Sequence, residues 1–318
     1  MKTPIDVACV GIGNVGRSWA VVFARSGLAV RLWDHDPSAL GRATDSIAAA
    51  LADLKAYDLD LDIQEAMSRI RGVDSLEEAV AGVSYVQESA AEALEAKQSL
   101  FRRIDLAAPA DAILASSTSA IPGSAIFANV EGRARCLVVH PVNPPHMIPL
   151  VEICPTPWTA PDVVKAARAL MSDVGQAPVT LAKEAPGFLL NRLQWALLGE
   201  ALHLVGEGYC SAEDIDRVLT QGLALRWAFI GPFEVGHLNA TGGLAGYFGG
   251  LAEAMRRVRE SLEADYVPPP ELVERLHSEI AGRIPVTAIP AHQAWRDTRI
   301  LGLRAHLADA AARPSHST

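Results

Sequence analysis

The chain has 318 residues, 50% of them apolar, and a formal net charge of −9 at pH 7. That length supports one or two packed domains and favours two. The acidic balance and the lack of a basic run argue against a nucleic-acid or membrane-surface partner, and no apolar stretch approaches the length of a membrane span. The four cysteines (Cys9, Cys136, Cys154 and Cys210) sit apart, without CxxC or metal-ligand spacing. Reduced thiols, no structural metal and a cytoplasmic setting are therefore expected. The opening MKTPIDVACVGIG enters an apolar run at once and lacks the features of a signal peptide.

In chain order, IDVACV (5–10) reads as a strand and Val15–Ser26 as a helix. LAVRLW (28–33) and VSYVQE (83–88) follow as strands, Glu92–Ala107 as a helix, and AILA (112–115) and CLVV (136–139) again as strands. Thr159–Val174 has an apolar face at helical spacing, with Thr159 placed to cap it and Gly175 to end it. PVTLA (178–182) is the last strand of this half. Strand and helix in alternation imply right-handed crossovers and a doubly wound, mostly parallel sheet.

After KEAPGF (183–188) the rhythm changes. Leu190, Leu193, Leu197, Ala201 and Leu204 fall on one face of a long helix that is expected to be buried. Ser211, followed by Glu213 and Asp214, reads as the cap of the next helix. IPVTAI (284–289), flanked by prolines, is a loop more than a strand. The expected division is an α/β domain over 1–185, an all-α domain over 186–310, and a polar, disordered tail at 311–318.

The first strand runs into GIGNVG, where Gly11, Gly13 and Gly16 form G-x-G-x-x-G. Gly11 permits the turn, Gly13 admits a pyrophosphate, and Gly16 lets helix and strand pack closely. Asn14 and Val15 complete the loop at the helix start, where free N–H groups and the positive dipole end favour phosphate. Asp34, eighteen positions beyond Gly16 and at the end of the second strand, suits both hydroxyls of a ribose. Its charge would repel a 2′-phosphate, which points to NAD and to a Rossmann-type domain.

A second constellation begins with VVHPVNPPHMIPLVE (138–152). His140 stands at a strand end, and Glu152 lies inside an apolar run where a carboxylate needs a partner. A histidine N–H supplies one and fixes the ring's tautomer. SSTS (116–119) also lies just past a strand, on the sheet edge where such folds bind ligands. Asn191 begins the helical half beside the joint. Asn143, in the proline turn, either reaches the site or caps its own loop.

These motifs, in the order GxGxxG, Asp34, SSTS, HPVNPP, LVE and APGFLLNRL, resemble the 3-hydroxyacyl-CoA dehydrogenase superfamily over nearly the whole chain. The similarity is greatest to the branch that contains λ-crystallin and L-gulonate 3-dehydrogenase, through HPVNPPHMIPLVEICP, FLLNRLQWALLGEA and GLALRWAFIGPFE. The resemblance implies Ser119, His140, Glu152 and Asn191 as catalytic residues, Glu92 and Lys97 beside the nicotinamide ribose, and a homodimer joined through the helical domain. CoA-using members carry lysines after the second strand, whereas residues 51–66 hold one lysine and five acids. Arg226 interrupts an apolar run, either to clamp a free carboxylate or to serve as a salt-bridge or interface arginine. The expected activity is NAD-dependent oxidation of a small free L-3-hydroxy acid such as L-gulonate. A 3-hydroxyacyl-CoA ester and a non-catalytic crystallin-like role are the alternatives.

Overall fold

A computed structural model describes residues 6–58 and 60–312. Its strands are β1 (Asp6–Val10), β2 (Ala29–Trp33), β3 (Ile70–Gly72), β4 (Tyr85–Glu88), β5 (Ile113–Ser116), β6 (Cys136–Pro141), β7 (Leu150–Pro155) and β8 (Ala177–Thr180). They form one sheet in the order β3-β2-β1-β4-β5-β6-β7-β8. From β3 across to β6 every pairing is parallel; β7 then runs antiparallel to β6, and β8 runs parallel to β7. The chain order reverses its direction of growth between β1 and β4, which places a ligand crevice outside the carboxyl ends of those strands.

Helices α1 (Asn14–Arg25), α2 (Pro37–Lys55), α3 (Ile63–Ser68), α4 (Leu76–Val80), α5 (Leu94–Ala107) and α6 (Gly123–Ile126) make the crossovers between parallel strands. Helix α7 (Pro161–Asp173) joins β7 to β8. Both sheet faces are covered, so the central strands are buried on both sides and their apolar residues do not alternate with exposed polar ones. On β1, Val7 and Cys9 enter one core layer and Ala8 and Val10 the other. The first layer stacks Trp19 on Phe23 at 5.3 Å, and the second sets Phe101 edge-on to Phe127 at 4.7 Å.

Every strand expected from the apolar runs is present, and two more appear. β3 is three residues of edge strand, IRG, too short and polar to signal itself. β7 is the LVEICP run, whose antiparallel course follows from the short proline turn after β6. Thr159 does not cap α7; the cap position is Ala160, with Pro161 starting the helix. The Thr159 hydroxyl instead donates to the Cys136 carbonyl at 2.6 Å and accepts from Thr156 N–H at 2.9 Å.

Contacts divide the chain into two compact units after Asn191, with Arg296–His306 returning to the first. The second unit contains α8 (Leu190–Gly206) from Arg192 onward, α9 (Ala212–Arg217), α10 (Ala224–Trp227), α11 (Pro232–Leu238), α12 (Gly243–Glu260), α13 (Pro270–Arg283) and parts of α14 (Ile289–Ala312). Among the described residues no strand follows β8, and 286–288 form a single 3-10 turn. Ser211 and Asp214 build a full capping box on α9. Of the tail expected at 311–318, Ala311 and Ala312 belong to α14 and the remaining residues lie outside those described.

The apolar stripe of α8 is not buried within the chain. Leu193 is 73% exposed and Trp195 64% exposed, while Gly199 and Val205 are the buried residues of the helix. The face that packs is the glycine face: a Cβ at Gly199 would lie 2.0 Å from the Ala264 carbonyl oxygen, and one at Gly206 would lie 2.6 Å from the Tyr266 hydroxyl. Backbone approach this close admits no side chain. Gly199→Ala is therefore expected to destabilise the helical unit by about 1–3 kcal/mol, read as a lower urea midpoint with an unchanged slope. An unchanged midpoint would mean that α8 does not pack on residue 264.

Candidate active site

The phosphate loop divides its work among three glycines. Gly11 has φ +85°, and a Cβ there would meet the Ala90 nitrogen at 2.6 Å. A Cβ on Gly16 would stand 1.9 Å from the Gly11 carbonyl oxygen, so α1 rests directly on the loop. Gly13 faces open space instead. It is also the cap residue of α1 and offers no capping side chain, which leaves the first N–H groups, those of Asn14, Val15 and Gly16, available for an anion. The Asn14 side chain accepts a bond from Arg17. Asp34 is tied to the same loop: its Oδ2 accepts from Ile12 N–H at 2.8 Å, and its Oδ1 from Asp36 N–H at 3.0 Å. His35 Nδ1 lies 2.9 Å from Asp34 Oδ1. An open glycine, unclaimed helix N–H groups and a fixed carboxylate beside them fit a dinucleotide without a 2′-phosphate.

At the same sheet edge, β6 and β7 bring His140 and Glu152 directly opposite each other in antiparallel register. The turn between them is short, with Met147 and Ile148 N–H both bonding to the Pro144 carbonyl. The carboxylate twelve positions after the histidine meets it because opposite residues of a hairpin share a face. His140 Nδ1 lies 2.8 Å from Glu152 Oε2. Glu152 Oε1 accepts from Leu189 N–H at 2.7 Å and Leu190 N–H at 3.0 Å. Glu152 is completely buried. Burial pushes its carboxyl upward, but the bonds from His140, Leu190 and Leu189 outweigh that and hold it below the usual range. An ionised Glu152 requires the proton on Nδ1, which leaves the lone pair of the ring on Nε2. Phe188, at φ +52°, sets its ring 5.2 Å from the imidazole.

Ser119 lies on the exposed turn after β5, and its main-chain oxygen accepts from Asn191 Nδ2 at 2.8 Å. Two of the expected catalytic residues are thus bonded to each other through the Ser119 backbone. Glu92 Oε1 takes the Thr118 hydroxyl at 2.6 Å, Ser119 N–H at 2.9 Å and Ala120 N–H at 3.2 Å. Partial burial raises the Glu92 carboxyl, but those donors and Lys97 bring it below its ordinary value. Lys97 is only 1% exposed; its ammonium sits 2.8 Å from Glu88 and 3.5 Å from Glu92. The sequence reading missed Glu88, which like Glu152 is a fully buried carboxylate on a strand of the sheet.

Two further expected residues are exposed. Asn143 is exposed on the proline turn, with a cis bond to Pro144. Arg226 is exposed on α10 in the second unit. Among the described residues no group of His, Cys, Asp or Glu has metal-binding geometry, and no helix is long and apolar enough to cross a membrane. All four cysteines are free thiols.

The sheet topology and phosphate loop define a dinucleotide-dependent dehydrogenase, and comparison with known proteins narrows that class. Residues 6–185 match the family model described as 3-hydroxyacyl-CoA dehydrogenase, NAD binding domain, and residues 187–280 match the corresponding C-terminal domain. The chain is 42% identical to the λ-crystallin homolog of Bos taurus, over 95% of each protein. It is 40% identical to an L-carnitine dehydrogenase of Streptomyces griseus, over 86% of this chain and 80% of that one. Its fold resembles the crystal structure of 5-formyl-3-hydroxy-2-methylpyridine 4-carboxylic acid 5-dehydrogenase, an NAD+ dependent dismutase, with a TM-score of 0.78 and 28% identity over 96% and 99% of the two chains. The protein belongs to the 3-hydroxyacyl-CoA dehydrogenase family and is an NAD-dependent oxidoreductase acting on a CH–OH group.

The Glu152 linkage has a definite sign. Its folded-state value lies below the ordinary 4.5, so its stabilisation is complete above about pH 4.5 and is lost as pH falls through the lower folded value. Glu152→Gln is expected to cost roughly 3 kcal/mol at pH 7, with a flatter decline of stability below pH 4.5 than the parent protein. Urea midpoints between pH 7 and pH 3.5 check this, and parallel profiles would show that Glu152 is not linked to folding.

Proposed function

We propose that the protein oxidises the C3 hydroxyl of a small free L-3-hydroxy acid, of the L-gulonate kind, to the 3-keto acid. Bound NAD supplies the hydride acceptor. His140 takes the hydroxyl proton at Nε2, a step worth about 10²–10⁴-fold when correctly positioned. Glu152 fixes the ring and stabilises the imidazolium that forms. Ser119 offers its hydroxyl to the reacting oxygen; Asn191, bonded to the Ser119 carbonyl, retains a second amide N–H for the same purpose. Glu92 and Lys97 border the nicotinamide ribose, Lys97 as an almost fully buried ammonium. Asn143 marks the proline turn on the substrate side.

The substrate class rests on residues 51–66. Asp53, Asp58, Asp60, Asp62 and Glu65 all stand exposed there, a surface that repels the phosphates of a CoA ester. The relative named for L-carnitine, itself a small free 3-hydroxy acid, supports the same reading. Arg226 is assigned to the substrate carboxylate, for which a bidentate guanidinium is suited. The domains proposed are 1–185 for the cofactor and 186–310 for substrate and assembly, and the free thiols suit the reducing cytoplasm.

NADH formation on a panel of L-gulonate, L-3-hydroxybutyrate, L-carnitine and L-3-hydroxybutyryl-CoA tests this reading. Turnover of a free acid is expected, and Arg226→Met should raise its KM about tenfold or more while NADH binding is unchanged. Turnover of the CoA ester alone would overturn the substrate class.

A homodimer joined through the helical unit is proposed from the uncovered apolar side of α8, where Leu193 and Trp195 face outward. Sedimentation equilibrium should give twice the chain mass. A Leu193→Glu, Trp195→Glu variant should shift toward the single-chain mass, and a monomeric parent protein would refute the assembly.

A further inference from the structure

The buried carboxylate at the end of β4 has no part in the chemistry above, yet it is among the most heavily bonded side chains of the first unit. Glu88 Oε1 accepts from Ala90 N–H at 2.7 Å and from the Lys97 ammonium at 2.8 Å, and Oε2 accepts from the Ser116 hydroxyl at 2.6 Å. Glu88 and Ser116 are partners in the β4–β5 register, so the carboxylate ties two strand ends to α5. Both members of the ion pair are excluded from water. Such a pair gives little net stability against its desolvation cost, which makes its retention at the ligand edge informative.

The pair does not end in itself. The Lys97 ammonium also donates to the Ala90 carbonyl at 3.3 Å and stands 3.5 Å from Glu92 Oε2. The other oxygen of Glu92 gathers Thr118, Ser119 and Ala120. A continuous line of charge and hydrogen bonds thus runs from Glu88 through Lys97 and Glu92 to the turn that carries Ser119, and from the Ser119 carbonyl to Asn191. We infer that Glu88 is a positioning residue which, through Lys97, fixes Glu92 and the Ser119 turn and so shapes the nicotinamide-ribose end of the cofactor site. This rests on the proposed placement of Glu92 beside that ribose.

Three substitutions test it: Glu88→Gln, Lys97→Met and the two combined. Glutamine keeps an amide oxygen for Ala90 N–H, so the segment under Gly11 is preserved while the charge on Lys97 loses its counterpart. Two probes are titrated, NADH by fluorescence and ADP by calorimetry, because ADP lacks the second ribose and the nicotinamide. Each single variant is expected to weaken NADH about tenfold and ADP by less than about twofold, and the double variant to be no weaker than the worse single one. Unchanged NADH affinity, an equal loss for NADH and ADP, or additive losses in the double variant would each overturn the inference.

Glu92→Ala separates its failure from that of the placement it rests on. If Glu92→Ala weakens NADH while Glu88→Gln does not, only the inference fails. If Glu92→Ala has no effect, the ribose placement fails and takes the inference with it. These are binding measurements, so an error in the substrate class leaves them readable.

Discussion

The arrangement of this site depends on one buried carboxylate with two duties. Glu152 holds His140 with one oxygen and the first N–H groups around the start of α8 with the other. A fully buried anion is tolerated only when its hydrogen-bonding capacity is met, and here the donors come from three places: a neighbouring strand, a positive-φ turn and a helix start. The orientation of the imidazole and the departure point of α8 are therefore one structural problem with one solution. The chain can move neither independently of the other, because either movement would strand a charge in a dry interior.

The same device is used again three strands away. Glu88 closes β4 as Glu152 lies in β7, each a carboxylate in an apolar strand at the ligand edge of the sheet. One faces a histidine, whose second nitrogen is left with a lone pair; the other faces a lysine, whose charge remains buried. The difference in partner separates a group able to accept a proton from a group that orders its surroundings. Between them lies the Ser119 turn, held by Glu92 on one side and by Asn191 on the other. The sheet edge is thus lined with fixed charges and directed hydrogen bonds before any ligand arrives, which is the condition for electrostatic preorganisation.

The cofactor half of this site was legible because backbone geometry dictates it. Gly11, Gly13 and Gly16 are needed where a turn, an open approach and a close packing occur, and each requirement shows in the sequence as the absence of a side chain. The His140–Glu152 pair was legible for a related reason, since a carboxylate in PLVEI demands a partner. What escaped was the means of pairing: β7 was not expected as a strand, although its antiparallel course alone sets the two residues opposite. β3 escaped because an edge strand of IRG has no apolar periodicity to show. The burial of Leu193 and Leu197 was misjudged because an apolar stripe records that a face is to be covered and not what covers it. Asn191 lies in the first turn of α8, but its bond to the Ser119 carbonyl depends on a turn geometry that no spacing encodes.

The two halves of the specificity problem consequently lie on different physical footings. Cofactor choice is assigned to Asp34, whose carboxylate is held by Ile12 N–H. That discrimination is a repulsion built into a rigid loop, and it persists whatever the substrate. Substrate choice is assigned instead to exposed charges, the acids of 51–66 and the guanidinium of Arg226, which are screened by salt and replaceable without disturbing a core. A fold that concentrates its buried charges around His140 and the Ser119 turn can exchange surface charges between relatives at little cost in stability. The spread of names among the relatives, from λ-crystallin to L-carnitine dehydrogenase, is what such a division of labour permits.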